Sequence, residues 1–172
     1  MATSLDLILN EVIAKTAARL SADGFKKSGN TFRRVFDSGA ALIEFQKSRG
    51  NTGDTLSFTI NLAVVCGPLL EPDGLTLQKA RAIDGHLRQR IGVLLPDRQD
   101  KWWEIDAATD ANALATEVAN TIGDIAVPYL LRYVDPHDLM VLWETGQAPG
   151  LTEGARVRDL RMLKIALGTD RK

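Results

Sequence analysis

Six residues, Gln46, Ser48, Arg49, Asn61, Arg90 and Trp102, are of types that hold a ligand without transforming it. Arginine receives an anion or an acidic partner through a planar fork of donors, Gln and Asn amides orient it, and an indole supplies a stacking wall. Core packing does not explain them easily. Residues that break bonds are scarcer. The histidines are His86 and His137, and the one cysteine is Cys66. His137 follows Asp135-Pro136, a helix-start sequence, and Cys66 ends an apolar run, where a small buried side chain is its ordinary role. Ser48 lacks a Gly-x-Ser-x-Gly elbow, no glycine-rich phosphate loop opens a helix, and no His or Cys spacing suits zinc. Asp97 with Asp100, or Glu104 with Asp106, could act as a carboxylate pair, but charged turn residues account for them better. The expectation is no catalytic residue, no metal and no cofactor.

Charge narrows the partner. Lys26, Lys27, Arg33, Arg34, Lys47 and Arg49 crowd a short stretch, with Phe25, Phe32 and Phe36 between them as candidates for stacking on bases. Cations beside turns and edge strands also guard a sheet against aggregation, and phenylalanines that alternate are core residues. The whole chain has 21 basic and 22 acidic residues, a net charge of −1, without the field of a protein that coats nucleic acid. An unknown protein or a small anionic ligand is the expected partner, in preference to nucleic acid. Near the C-terminus Arg158, Arg161 and Lys164, then Arg171 and Lys172, read as a solvated helical flank.

The elements that must position these residues follow from periodicity. Leu5, Ile8, Leu9, Val12, Ile13 and Leu20 recur as one helical stripe, with Ser4 as the expected N-cap. From Gly24 to Val65 the pattern changes to alternation. Phe25–Lys27 and Thr31–Phe36 flank Gly29-Asn30 as a hairpin, and strands over Ala41–Lys47 and Leu56–Val64 follow. One face of these strands is apolar. The other, with Leu42, Glu44, Gln46 and Ser48 beside Ser57, Thr59, Asn61 and Ala63, is expected to be wet. Residues 75–93 read as a short helix or irregular segment, and Lys101–Ile105 as a strand with Trp103 inward and Trp102 and Glu104 on the wet side. Helical stripes fill the remainder, with a kink near Pro128, a helix from Pro136 to about Glu144, and a last one over Thr152–Leu167 that buries Val157, Leu160, Leu163 and Leu167. The fold class is α+β: an antiparallel sheet of about four to five strands backed by an N-terminal helix and C-terminal helices, in a single domain over residues 1–172. The N-terminus has no basic region ahead of an apolar one, and no long apolar run occurs, so neither a signal peptide nor a membrane span is expected. A lone thiol and these exclusions suggest the cytoplasm.

The segments GFKKSGNTFRR, EFQKSRGN, FTINLAVV and RQRIGVLLPDRQDKWWEI resemble the bacterial domain of unknown function 4304 family. The matching positions are Gly24 to Lys27, Phe45 to Arg49, Phe58, Asn61, Arg90 to Gly92, and Trp102 with Trp103. Gln46, Ser48, Arg49, Asn61, Arg90 and Trp102 lie within these motifs and several of them fall on the wet face, so the resemblance and the alternation together imply that the six line one pocket or interaction surface. The resemblance spans at least residues 1–135 and leaves 136–172 as a C-terminal helical extension of the same domain. It implies the same α+β order and brings no activity with it. The reading that results is a binding or interaction module using the polar sheet face, with a toxin-neutralising type of inhibitor as one role of suitable size. The alternative is a hydrolase or nucleic-acid-processing enzyme that uses carboxylates and arginines of that face.

Overall fold

The computed structural model describes residues 3–169. The elements are α1 (Ser4–Ser21), β1 (Lys26–Ser28), β2 (Thr31–Val35), β3 (Gly39–Lys47), β4 (Leu56–Cys66), β5 (Leu87–Arg90), β6 (Trp103–Ile105), α2 (Ala111–Thr121), α3 (Val127–Tyr133), α4 (Pro136–Glu144) and α5 (Glu153–Ala166). A six-stranded sheet runs in the order β1-β2-β3-β4-β5, and β6 also pairs with β4. The α+β class is therefore correct. Arg171 and Lys172 lie outside the described residues.

The sheet's strands are shared between two compact units. The first unit holds the described residues up to Arg33, with Ile43–Asn61 and Arg90–Pro128. Its core is a row of aromatic rings, Phe32 to Phe45 at 6.1 Å, Phe45 to Phe58 at 5.8 Å, and Phe58 to Trp103 at 5.6 Å between centroids. The row places the apolar alternates of β2, β3, β4 and β6 on one side, as the period of 2 requires. The Trp103 indole N–H donates to Glu117 Oε1 of α2 at 2.8 Å, so the ring is buried without an orphaned donor. α1 packs against α2 and buries Leu5, Leu9, Val12, Ile13, Thr16 and Leu20. Its cap is Thr3, one residue before the expected Ser4. Thr3 Oγ1 accepts the Asp6 amide N–H at 3.2 Å while the Asp6 carboxylate accepts the Thr3 N–H at 3.0 Å, a reciprocal pair that Ser4 has no carboxylate to complete. Lys47 Nζ donates to Asp6 at 2.6 Å, and this hydrogen bond and those from Thr3 lower the Asp6 pKa to about 2.

The helical stripe expected to kink at Pro128 departs from α geometry earlier, in a π-helical segment at Ile122–Ala126. The Arg19 guanidinium, bonded to Asp23 and Asp124, lies so close to Gly123 that a Cβ there would meet Arg19 Cζ at 2.6 Å. The extra residue in the turn accommodates that crossing.

The second unit holds Arg34–Leu42, Leu62–Gln89 and the described residues from Tyr129 onward. Here Ala40 and Leu42 of β3 pack with Ala63 and Val65 of β4 beneath Ala80 and Ala82, and Leu70 and Leu77 complete the cover. This corrects the assignment of Leu42 and Ala63 to a wet face: both are fully buried. α4 buries Leu139 and Trp143, and α5 buries Leu163 and Asp159. Arg156 Nη1 donates to the Trp143 carbonyl at 2.6 Å and Lys164 pairs with Glu144 at 2.8 Å, which ties α5 to α4. Val157, expected inside, is 54 % exposed because α5 turns its Asp159 and Leu163 side inward instead. No helix among the described residues is long and apolar enough to cross a membrane.

Candidate functional site

β5 is the strand that periodicity missed. Residues 75–93 hold turns, a short 3-10 turn at Ala82–Asp84, β5, and a second 3-10 turn at Ile91–Leu94. Because β3 occupies one edge of β4, β5 and β6 both lie along the other. β6 pairs with the start of β4 through Leu56↔Ile105 and Phe58↔Trp103, and His86 N–H donates to the Val64 carbonyl near its end. Residues 91–102 are therefore an excursion between two strands on one edge.

The excursion is pinned where it leaves and where it returns. Arg90 Nη1 donates to Asp100 Oδ2 at 2.6 Å, Trp102 Nε1 donates to the same oxygen at 3.0 Å, and the Arg90 guanidinium sits 5.2 Å from the centre of the Trp102 ring. Thr59 Oγ1 donates to the Lys101 carbonyl at 2.7 Å and is thereby fully buried, contrary to its expected place on a wet face. Gly92 is required by the closure. A Cβ at this position would strike the Gln99 carbonyl and the Lys101 amide. At the exposed tip Arg98 adopts φ 51°, a left-handed conformation uncommon outside glycine and asparagine.

A second polar group lies on β3 and β4. Asn61 Nδ2 donates to Gln46 Oε1 at 2.7 Å and approaches Glu44 Oε1 at 3.5 Å. Continuing the β4–β6 register past Phe58↔Trp103 sets Trp102 opposite Thr59, two residues along the strand from Asn61, so Trp102 belongs to the same side of the sheet. Ser57 stands opposite exposed Glu104 on that side.

Of the six sequence candidates, the structure brings Arg90 together with Trp102 and Gln46 together with Asn61. Ser48 and Arg49 lie apart from these contacts, where β3 gives way to the β3–β4 connection. Ser48 Oγ accepts the Gly50 amide at 3.1 Å, a turn-forming role, and Arg49 is exposed. Asp100, read from the sequence as a charged turn residue beside Asp97, is the carboxylate at the centre of this cluster. It joins Arg90 to Trp102 only after the chain has doubled back, although its place two residues before Trp102 is a local signal. Asp97 bonds the Gln99 amide, and Asp106 bonds Ala108 N and Thr109 Oγ1, so these carboxylates shape turns.

Cys66 and His86 meet through the main chain of the cysteine. In the second unit the Cys66 amide N–H donates to His86 Nδ1 at 3.0 Å, which leaves the proton of neutral His86 on Nε2. Burial pushes the Cys66 thiol up to about 12, away from the thiolate that nucleophilic attack needs. Burial also lowers the His86 pKa, with Asp159 of α5 opposing the shift.

A family model described as Domain of unknown function (DUF4304) matches residues 16–132. No curated protein and no solved structure matches the chain. The matched span takes in all six strands, the excursion and each of the six candidate residues, and covers well over half of the sequence. The chain belongs to the DUF4304 family.

Proposed function

We propose that this protein is a non-catalytic binding module that engages a protein partner through the polar side of its first unit, with Arg90, Trp102, Gln46 and Asn61 as contacts. The observation that carries this reading is the Arg90–Asp100–Trp102 cluster. An arginine and a tryptophan held in place by one carboxylate at a sheet edge form the kind of preorganised pair that dominates protein interfaces, because little side-chain entropy remains to be lost on binding. Asp100 already balances the charge of Arg90, so a small anionic ligand, the second candidate, would have to share or displace that carboxylate. An enzyme on the same surface would gather Glu44, Glu104 or Asp106 with Arg49 or Arg90. Instead Glu104, Asp106 and Arg49 are exposed and Arg90 engages Asp100, an arrangement that favours binding over hydrolysis.

Affinity capture from the native host, with Arg90→Ala and Asn61→Ala as folded controls, tests the proposal. A specific protein retained by the wild type should be lost from both variants while their thermal midpoints stay within a few degrees. Retention of every partner alongside a lowered midpoint would make these residues structural. A thermal-shift screen against anionic metabolites covers the second candidate. A ligand at 100 times its dissociation constant adds about 2.7 kcal/mol, and that gain should vanish in Arg90→Ala if a small anion is the natural ligand.

A further inference from the structure

The two edges of the sheet are finished differently. Along β5 the Arg88 amide donates to the Pro149 carbonyl at 2.9 Å and Arg88 Nη2 donates to the Gly150 carbonyl at 2.6 Å, so that edge is covered by chain. At the other end β1 is the last strand among the described residues, and Lys26, Lys27 and Ser28 are all exposed. β1 joins β2 through the two-residue turn Gly29-Asn30, with Gly29 at φ 59° and pairs Ser28↔Thr31, Lys27↔Phe32 and Lys26↔Arg33. The pair flanking a two-residue turn exchanges its hydrogen bonds, and alternate pairs do not. The N–H and C=O of Lys27 therefore point away from β2, toward the open edge.

Charge says what fits there. Lys26 and Lys27 are both exposed and put a cation on each side of the pleat. Between Lys26 and Val35 the sequence has no acidic residue. Phe25 and Phe32, the rings nearest this edge in sequence, are buried and offer no face to nucleic-acid bases.

We propose that β1 is a docking edge for an extended acidic segment of a partner protein, which adds as a further strand through the outward N–H and C=O of Lys27 and sets its carboxylates against Lys26 and Lys27. Main-chain bonds supply affinity and the cations supply selection for acidic sequence.

The test uses the full chain and a fluorescein-labelled peptide of alternating Glu and Val, with the matching Lys and Val peptide and oligothymidylate as comparisons. Anisotropy should show the acidic peptide binding at least tenfold more tightly than either comparison, and amide exchange should slow at Lys27. Lys27→Pro removes the outward donor without touching the bonds between β1 and β2. It should weaken the acidic peptide at least tenfold beyond Lys27→Ala. Lys26→Glu with Lys27→Glu should transfer preference to the basic peptide. Equal binding by the Pro and Ala variants would rule out strand addition, and tighter binding of oligothymidylate would reassign the edge to nucleic acid. Either result overturns the proposal.

Discussion

The same alternate positions of β3 and β4 behave in opposite ways in the two units. In the second unit they read Ala40, Leu42, Ala63 and Val65, and a segment carrying Ala80 and Ala82 closes over them. In the first unit they read Glu44, Gln46, Ser57, Thr59 and Asn61. Only Thr59 is fully buried, and it spends its hydroxyl proton on the carbonyl of the covering chain. The change falls between Leu42 and Glu44 on one strand and between Asn61 and Ala63 on the other. A loop settles on a pleat where the alternates are small and apolar, because covering them removes hydrocarbon from water and leaves no donor or acceptor stranded. Where the alternates are amides and carboxylates they stay half-exposed and bond to one another, as Asn61 does to Gln46.

The contrast is most directly broken by placing an amide in the apolar patch. Leu42→Asn should cost about 3 kcal/mol, through lost packing and an unpartnered polar group, and lower the denaturant midpoint accordingly. The reverse exchange, Gln46→Leu, should stay within about 0.5 kcal/mol because its site is half-exposed. A smaller effect separates the two ways of covering a strand. Thr59→Val keeps the shape but removes the donor to Lys101, and should cost about 1 kcal/mol, with faster amide exchange in residues 91–102 as the local readout.

Acid provides the subtlest comparison. His86 titrates below its ordinary value in the folded chain, so the unfolded chain takes up its proton first as pH falls. The stability this lends the second unit is present above pH 6.5 and is lost as pH falls through the folded pKa. Protonation also removes the acceptor of the Cys66 amide. Asp6 in the first unit has a pKa lowered to about 2 from 3.8, so its contribution persists to lower pH and is lost as pH falls through about 2. The protection factor of the Cys66 amide should therefore fall as pH drops below 6.5 through the folded His86 pKa, while the Asp6 cap at the start of α1 keeps its protection until pH approaches about 2.

Long strands with strict alternation were legible in the sequence, and so were capped helices. β3, β4, α4 and the β1–β2 hairpin lie within a residue or two of their expected places. β5 was not, because Leu-Arg-Gln-Arg offers one buried apolar residue and depends on β4 for its shape. The π-helical segment was hidden for a similar reason: its cause, Arg19, is about a hundred residues away in the chain. At the candidate site residue type was informative and partnership was not. Trp102 could be placed on the wet side by alternation and Arg90 was singled out by the family-like Arg-Ile-Gly segment, whereas the carboxylate that fixes them became visible only once the excursion closed. Alternation alone marked Leu42, Thr59 and Ala63 as wet, since period 2 sorts side chains between faces without saying which face another segment will cover.

The excursion from Ile91 to Trp102 interrupts what would otherwise be pairing along a single edge of β4, and its base is clamped by Gly92, Thr59 and the Arg90–Asp100 bridge. Its tip is thus free to vary while the sheet beneath stays the same. Doubling the length of a flexible loop costs only about 0.6 kcal/mol, so the segment between Val93 and Arg98 is a natural position for grafting foreign sequence or for divergence between relatives. Changes there would alter the surface offered to other molecules and leave the aromatic row of the core untouched.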